Sequence, residues 1–242
     1  MRFLISFYES TCGELVESIL DILFPSLCIN CGKNVDSGEA LCAACFAEIP
    51  FNKSFFCGKC GARLPYGEKI CHFDFPYILG AAVSYKNAAV RELVRELKFG
   101  FVRSAARPLA DLLIAYSENA GLAGKDWLVI PIPLGKKRLR IRGFNQAELI
   151  ANIFAEHFSI NTEKGILLRK KETEPQSEIK KMDERAKNTK DCFAVAAPEK
   201  ISGRNIIIVD DVSTSGSTFF EAAVSLKKAG AHKILALAAA KG

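Results

Sequence analysis

Residues 206–218 read IIIVDDVSTSGST: an apolar run delivers two adjacent aspartates, Asp210 and Asp211, into a stretch built almost wholly of Ser, Thr and Gly. Neighbouring carboxylates repel each other, and neither can be buried unpaired without a large desolvation cost. The apolar run reads as a buried strand, and STFFEAAVSLKKAG (217–230) reads as a helix closed by Lys227, Lys228 and Gly230. Between them, Ser213, Thr214, Ser215, Gly216, Ser217 and Thr218 supply backbone amides and hydroxyls at a helix N-terminus, which is a cradle for an anion. An ordinary strand-to-helix turn uses the same residue types, but two acids followed by six consecutive Ser, Thr or Gly exceed what a turn requires. The stretch lacks the Gly-Lys of a P-loop and the spaced glycines of a dinucleotide fold.

The flanking sequence has the texture of alternating strands and helices from about Tyr77 onward. ILGAAVSY (78–85), WLVIPIP (127–133), NIIIVDD (205–211) and KILALAAA (233–240) read as strands. NAAVRELVRELK (87–98) reads as a helix behind the cap Asn87, with Val90, Leu93, Val94 and Leu97 on one face. On another face Arg91, Arg95 and Lys98 form a basic stripe, a pattern that usually means a solvated surface. Further helices are expected over 104–119 and over GFNQAELIANIFAEHF (143–158), where Asn145 and Glu148 have capping-box spacing. Such alternation predicts an α/β unit with a mainly parallel sheet, whose ligands bind at the carboxyl ends of the strands. Asp210 and Asp211 fall at such an end. An acid pair beside an anion cradle makes sense for a phosphorylated sugar, whose diol donates to carboxylates while its phosphate sits in the loop.

At 242 residues, 49% hydrophobic and 25% charged, the chain has the composition of a soluble globular protein with one or two domains. Its net charge of +6 permits a phosphate-bearing ligand or nucleic acid without requiring either. The N-terminus, residues 1–24, is interrupted by Glu9, Glu14, Glu17 and Asp21, so neither a signal peptide nor a spanning helix is expected. Leu15, Val16, Ile19, Leu20 and Leu23 share a helical face suited to docking on the protein's own core, with membrane-surface contact as the alternative.

Seven of the nine cysteines lie within residues 28–71. Cys28, Cys31, Cys42 and Cys45 form a Cys-x2-Cys-x10-Cys-x2-Cys pattern, and adding 29 to the first three lands on Cys57, Cys60 and Cys71. The segment is a tandem repeat whose eighth position holds Asp74. Two knuckles per unit complete a tetrahedral thiolate site for structural zinc. In the second unit, Asp74 through oxygen or His72 through nitrogen would complete the set, a metal-free second unit and cross-braced pairing being the alternatives. One or two zinc ions are therefore expected. Cys12 and Cys192 fall outside the pattern and read as core or incidental thiols. Phe51, Phe55 and Phe56, between the units, suit packing between knuckles or stacking on bases.

The acid pair and hydroxyl loop resemble the phosphoribosyl-pyrophosphate signature of type I phosphoribosyltransferases. Together with the cysteine knuckles after DILFPSLC (21–28) and the central IPIPLGKKRLRIRGFNQAELIA (130–151), the chain resembles the ComF family (competence protein F, also called GntX-like) over nearly its whole length. That resemblance implies a phosphoribosyltransferase-like α/β fold, a Rossmann-like parallel sheet with flanking helices, over 77–242. Preceding it would be a double zinc-ribbon-like domain over 26–76 and an amphipathic helix over 1–25. It implies that Asp210 and Asp211 hold the ribose hydroxyls and that Thr214 to Thr218 hold the 5′-phosphate, with Val212 and Ser213 in the same phosphoribosyl-pyrophosphate site and Mg2+ accompanying the substrate. Asp74 stands where the family carries an eighth cysteine.

The motif GKKRLRIRGFNQ reads as a basic loop: Lys136, Lys137, Arg138, Arg140 and Arg142 suit pyrophosphate, and they suit a nucleic-acid backbone equally in charge. Residues 169–190 hold 13 charged residues and read as an exposed linker. They also occupy the place of the flexible flap of type I phosphoribosyltransferases, and Gln176, Arg185 and Asn188 match residues that recur in ComF-like flaps. The expected activity is displacement of pyrophosphate from the ribose anomeric carbon by a nitrogen acceptor. The competing expectation is a non-catalytic phosphoribosyl-pyrophosphate sensor or adaptor that binds single-stranded DNA or a DNA-uptake partner. Either would work in the cytoplasm or at the inner face of the membrane.

Overall fold

The computed structural model describes residues 25–65, 71–122, 126–170 and 191–242. The amphipathic stretch 1–24, Cys12 and the flap residues Gln176, Arg185 and Asn188 lie outside these described residues.

The apolar runs form a seven-stranded sheet. Its strands are β1 (Phe55–Cys57), β2 (Arg63–Leu64), β3 (Ile78–Ser84), β4 (Trp127–Pro131), β5 (Asn161–Thr162), β8 (Asn205–Ser213) and β9 (Lys233–Lys241). A separate antiparallel ribbon joins β6 (Leu167–Arg169) to β7 (Phe193–Val195). The order across the sheet is β2-β1-β3-β9-β8-β4-β5, with β3, β9, β8, β4 and β5 parallel and the β1–β2 hairpin antiparallel at one edge. The helices are α1 (Ala43–Ala47), α2 (Ala88–Arg95), α3 (Ala106–Asn119), α4 (Lys136–Arg142), α5 (Gln146–Phe158) and α6 (Ser217–Lys228).

Side chains alternate along β8, so its continuous apolar run feeds two cores. Ile207 and Val209 join Leu93 of α2, Leu109 and Leu113 of α3, and Ile150 and Phe154 of α5. Ile206 and Ile208 join Phe219, Ala222 and Leu226 of α6. The alanines of β9, Ala236 and Ala238 on one face and Ala239 on the other, leave room for helices to approach both sides. The result is a three-layer α/β arrangement, as the alternation of the sequence implied. Cys192 is buried in the α6 core, which accounts for one thiol outside the cysteine repeat.

Three local details differ from the sequence reading. The basic stretch read as a loop is a helix, α4, entered from Gly135 and closed by Gly143 at φ 76°. Lys, Arg and Leu are good helix formers, but this helix buries none of its residues, so no apolar period announces it. The helix expected over 87–98 is α-helical only to Arg95 and continues as a π turn over Glu96–Gly100, ending at Phe101 with φ 59°. Finally, β8 does not stop at the aspartates. It pairs with β9 as far as Ser213–Lys241, while pairing with β4 ends at Pro131–Val209. Beyond Val209, β8 is therefore open on its β4 side, and there the two aspartates meet a cavity.

Candidate ligand cleft and metal clusters

The cavity at the carboxyl ends of the strands has a volume of about 760 Å3. Asp210, Asp211, Val212, Thr214 and Thr218 line it from β8 and the following loop, and Arg138 and Arg142 line it from α4. Two separate motifs of the sequence thus converge on one cleft. The remaining basic residues, Lys136, Lys137 and Arg140, are exposed and do not line it. Of the other loop residues, Ser213 is buried, and Ser215, Gly216 and Ser217 are half-buried behind the lining. The Ser215 and Ser217 hydroxyls are 2.8 Å apart, and Gly216, at φ 75°, caps α6 without a side chain. A left-handed turn of this kind favours glycine.

Charge in the cleft is organised around Asp211, whose side chain is only 2% exposed. It points to the same face as Ile207 and Val209, where Lys98 of the π turn places its Nζ 2.7 Å from Oδ2. Burial works against the Lys98 charge, but Asp211 and then Asp210 outweigh it and raise its pKa above the ordinary lysine value. Asp210 is half-buried and accepts a hydrogen bond from the backbone N–H of Asp211 at 2.9 Å. Burial first, and the neighbouring Asp211 second, push its carboxyl well above the ordinary range, with Lys98 opposing. Arg142 donates to Gln146 Oε1, and burial lowers its pKa against the pull of Asp211 and Asp210. The arrangement is a cluster of carboxylates and cations that water only partly reaches, suited to a ligand carrying both hydroxyls and phosphates.

Several lining residues carried no clear signal in the sequence. Arg91, Arg95 and Lys98, read as a solvated stripe, all line the cavity, as does Arg169 at the end of β6. At the mouth, Phe99, Phe101 and Ile141 are 66%, 47% and 64% exposed and form an apolar rim. Phe101 holds a left-handed backbone that costs a bulky residue about 1–3 kcal/mol. π turns and left-handed non-glycine residues each occur frequently at functional sites.

The cysteines form two clusters. Cys28, Cys31, Cys42 and Cys45 bring their sulfurs within 4.8 Å of one another, as do the donor atoms of Cys57, Cys60, Cys71 and His72. A tetrahedral zinc with bonds of about 2.3 Å to sulfur has ligand edges of about 3.8 Å. The Cys31–Cys42 and Cys60–Cys71 sulfur separations are 3.7 and 3.6 Å, and His72 Nδ1 lies 3.3 Å from both Cys57 and Cys71. Both clusters fit structural zinc, with every position filled by protein. In the second, the fourth donor is His72, and Asp74 is outside the cluster. Burial raises the Cys28 thiol, but the backbone amides of Cys42, Cys31 and Asn30 outweigh it and lower it to about 6. Cys57 is likewise lowered to about 6, against burial, by the Cys60 amide and its cluster partners. Their neighbours shift the other way: against Asn30, burial and the adjoining thiols push Cys45 up to about 12, and Cys57 with burial pushes Cys71 up to about 11, so negative charge settles first on Cys28 and Cys57. Metal analysis should find two zinc ions per chain. His72→Ala should reduce that to one and Asp74→Ala leave it at two; the reverse pattern would move the ligand back to the aspartate.

Among the described residues no helix is long and apolar enough to cross a membrane. A family model of the double zinc ribbon domain matches residues 19–73. Over 200 residues the chain is 33% identical to competence protein ComFC of Bacillus subtilis, covering 79% of this chain and 80% of that protein. It is 29% identical over 218 residues to competence protein F of Haemophilus influenzae, covering 86% and 93%. Over 213 residues it is 27% identical to DNA utilization protein YhgH of Escherichia coli K12, covering 86% and 87%.

Proposed function

The chain belongs to the competence protein F and ComFC family, and on that premise we propose that its cleft binds phosphoribosyl pyrophosphate and transfers the phosphoribosyl group to a nitrogen acceptor. The observation that carries this reading is the meeting of the Asp210–Asp211 pair, the Thr214–Thr218 loop and the cations Arg138 and Arg142 around one cavity. In this reading the sheet from β3 to β5 is a type I phosphoribosyltransferase-like fold, residues 26–76 are a metal-bound ribbon upon it, and the names of the relatives associate it with competence and DNA utilization.

The residues divide the ligand by chemistry. Asp210, the more open carboxylate, accepts hydrogen bonds from the ribose diol. Asp211, paired with Lys98 at 2.7 Å, adds the negative potential that aligns those hydroxyls. The hydroxyls of Thr214 and Thr218, the loop amides and the N-terminal end of α6 receive the 5′-phosphate. Arg138 and Arg142 face the pyrophosphate, with Arg91 and Arg95 farther along the cavity. Mg2+ accompanying this substrate would be held by the substrate's own oxygens beside Asp210 and would offset the charge of the leaving group. Transfer breaks the anomeric C–O bond, whose electron pair leaves with pyrophosphate; the acceptor nitrogen forms the new bond and its proton passes to solvent. Holding the two reactants in line and stabilising charge account for the acceleration, with no covalent enzyme intermediate. The rim of Phe99, Phe101 and Ile141 gives a planar acceptor a surface to stack on.

One observation favours a second reading. The same exposed phenylalanines beside Arg91, Arg95 and Arg138 also suit a single-stranded DNA segment, with bases on the rim and phosphates on the arginines. In that case the protein senses phosphoribosyl pyrophosphate and adapts DNA or a DNA-uptake partner without transfer. Under either reading it acts in the cytoplasm or at the inner face of the membrane.

Calorimetric titration with phosphoribosyl pyrophosphate and Mg2+ separates the possibilities. The wild type should bind, and Asp210→Ala should weaken binding at least tenfold, as expected for loss of a charge-assisted hydrogen bond worth about 1.5–3 kcal/mol. Affinity should also fall as pH drops through the raised pKa of Asp210, because the protonated acid is a poorer acceptor. No binding by the wild type would remove both readings. Binding without pyrophosphate release across nucleobases would favour the sensor.

A further inference from the structure

The second metal cluster sits at the foot of the segment that contacts the anion loop. Cys57 ends β1 and is paired across the sheet with Ile78 of β3. The knuckle that follows rests directly on the next turn of chain: a Cβ on Gly58 would come within 2.7 Å of the Phe75 ring and 2.8 Å of the Tyr77 carbonyl. From the other side of the cluster, the carbonyl of His72 accepts the Phe75 N–H at 3.1 Å. The first half of the ligand set therefore abuts both Phe75 and Tyr77, and the second holds Phe75.

These two aromatics in turn grip the loop and its helix. Phe75 stacks on Phe220 of α6 at 5.3 Å between ring centroids, and the Tyr77 ring lies 6.2 Å from that of Phe219. The Tyr77 hydroxyl donates to the Gly216 carbonyl at 3.3 Å, at the left-handed turn that opens α6. A Cβ on Gly216 would lie 2.7 Å from that hydroxyl, so the turn and the ring fit each other with no side chain between. Tyr77 is 4% exposed, and burial raises its pKa, so it stays a neutral donor.

We infer that Tyr77 is a positioning residue for the phosphate loop and that the Cys57–Cys60–Cys71–His72 metal centre holds it there, so that occupancy of this centre sets affinity for a phosphate-bearing ligand in the cleft. The ligand's identity rests on the function proposed above, whereas the coupling rests on the contacts alone. A metal tie between residues 57 and 72 fixes the path into Tyr77; without it, the order of segment 71–77 falls to apolar contacts, and the Gly216 turn loses the side-chain brace that Tyr77 gives it. The first cluster supplies the control, because none of its ligands belongs to this chain of contacts.

The test uses the full-length protein with zinc content measured in every variant. Hydrogen exchange over residues 213–220 and calorimetric titration with phosphoribosyl pyrophosphate and Mg2+ are the two readouts. His72→Ala should accelerate exchange in 213–220 and weaken binding about tenfold. Tyr77→Phe should keep both zinc ions yet weaken binding about two- to tenfold, as loss of one neutral hydrogen bond implies. The double variant should be no worse than His72→Ala alone, because both act through one path. Cys31→Ser should lose a zinc from the first cluster and leave both readouts for the loop unchanged. Unchanged exchange in 213–220 on loss of the second zinc, or additive effects of the two substitutions, would overturn the coupling. If the wild type fails to bind while exchange still responds to the second zinc, the ligand reading fails and the coupling stands.

Discussion

Stripping the metal with a strong chelator is expected to unfold residues 26–49 while the parallel sheet stays folded. Within that stretch Leu41 and Ile49 are the large aliphatic side chains that are fully buried, joined by Ala40 and the ligands Cys28 and Cys45 themselves. Helix α1 has five residues, and its cap is the ligand Cys42, whose side chain accepts the Cys45 N–H. Apolar burial on this scale does not order so much irregular backbone. Zinc binding to such sites is worth about 10–16 kcal/mol apparent at neutral pH, more than the few buried side chains can contribute. Hydrogen exchange should show residues 26–49 losing most of their protection, with β9 and residues 205–209 of β8 unchanged, since there the strands are paired on both sides within two apolar cores. Cys31→Ser gives the same result more cleanly: Cys31 is exposed, so its replacement removes ligation without opening a hole. Full protection of 26–49 in metal-free protein would show that the ribbon is held by packing, and that the ion is dispensable.

Those features are legible in the sequence in proportion to how far local pattern determines them. The β8 run reads as a strand because both its faces are buried, and the acid pair follows because β8 outruns β4 at that point. The cysteine repeat is legible because knuckle spacing is itself the metal-site geometry. The repeat period also points to Asp74 beside the alternative His72, and the structure selects His72, since what matters is a donor within reach and not its place in the period. Helix α4 is hidden because Leu139 and Ile141 are exposed at 43% and 64%, so it shows no buried face for periodicity to report. The Arg91–Arg95–Lys98 stripe has the pattern of a solvated helix face, and only the tertiary meeting of α2 with the end of β8 turns it toward a ligand cleft.

Replacing Lys98 with methionine tests whether that meeting is electrostatic. Methionine keeps most of the stem and deletes the charge, leaving Asp211 buried beside Asp210 with its closest cation gone. Breaking a buried ion pair from one side costs about 3–5 kcal/mol. The lower end is expected here, because Lys98 is 25% exposed and water can reach the gap. Urea denaturation at pH 7 should show the loss, and Lys98→Met/Asp211→Asn should recover most of it. The pH dependence fixes the sign. Asp210 has a raised folded pKa, so its contribution is present below the unfolded carboxyl value and is lost as pH rises through the folded one. Lys98 opposes that shift; without it the Asp210 carboxyl takes up a proton more readily, and the cost of Lys98→Met should grow from pH 4 to pH 8. Its own raised pKa means that the wild-type pair persists until strongly alkaline pH. A cost that is flat across this range would assign the loss to packing. By the same linkage Asp210→Asn should be more stable than the wild type at neutral pH while binding sugar phosphate poorly. The Asp210 carboxylate is then maintained against the stability of the fold, and the Lys98 counter-charge keeps that destabilisation small enough for the cleft to stand open.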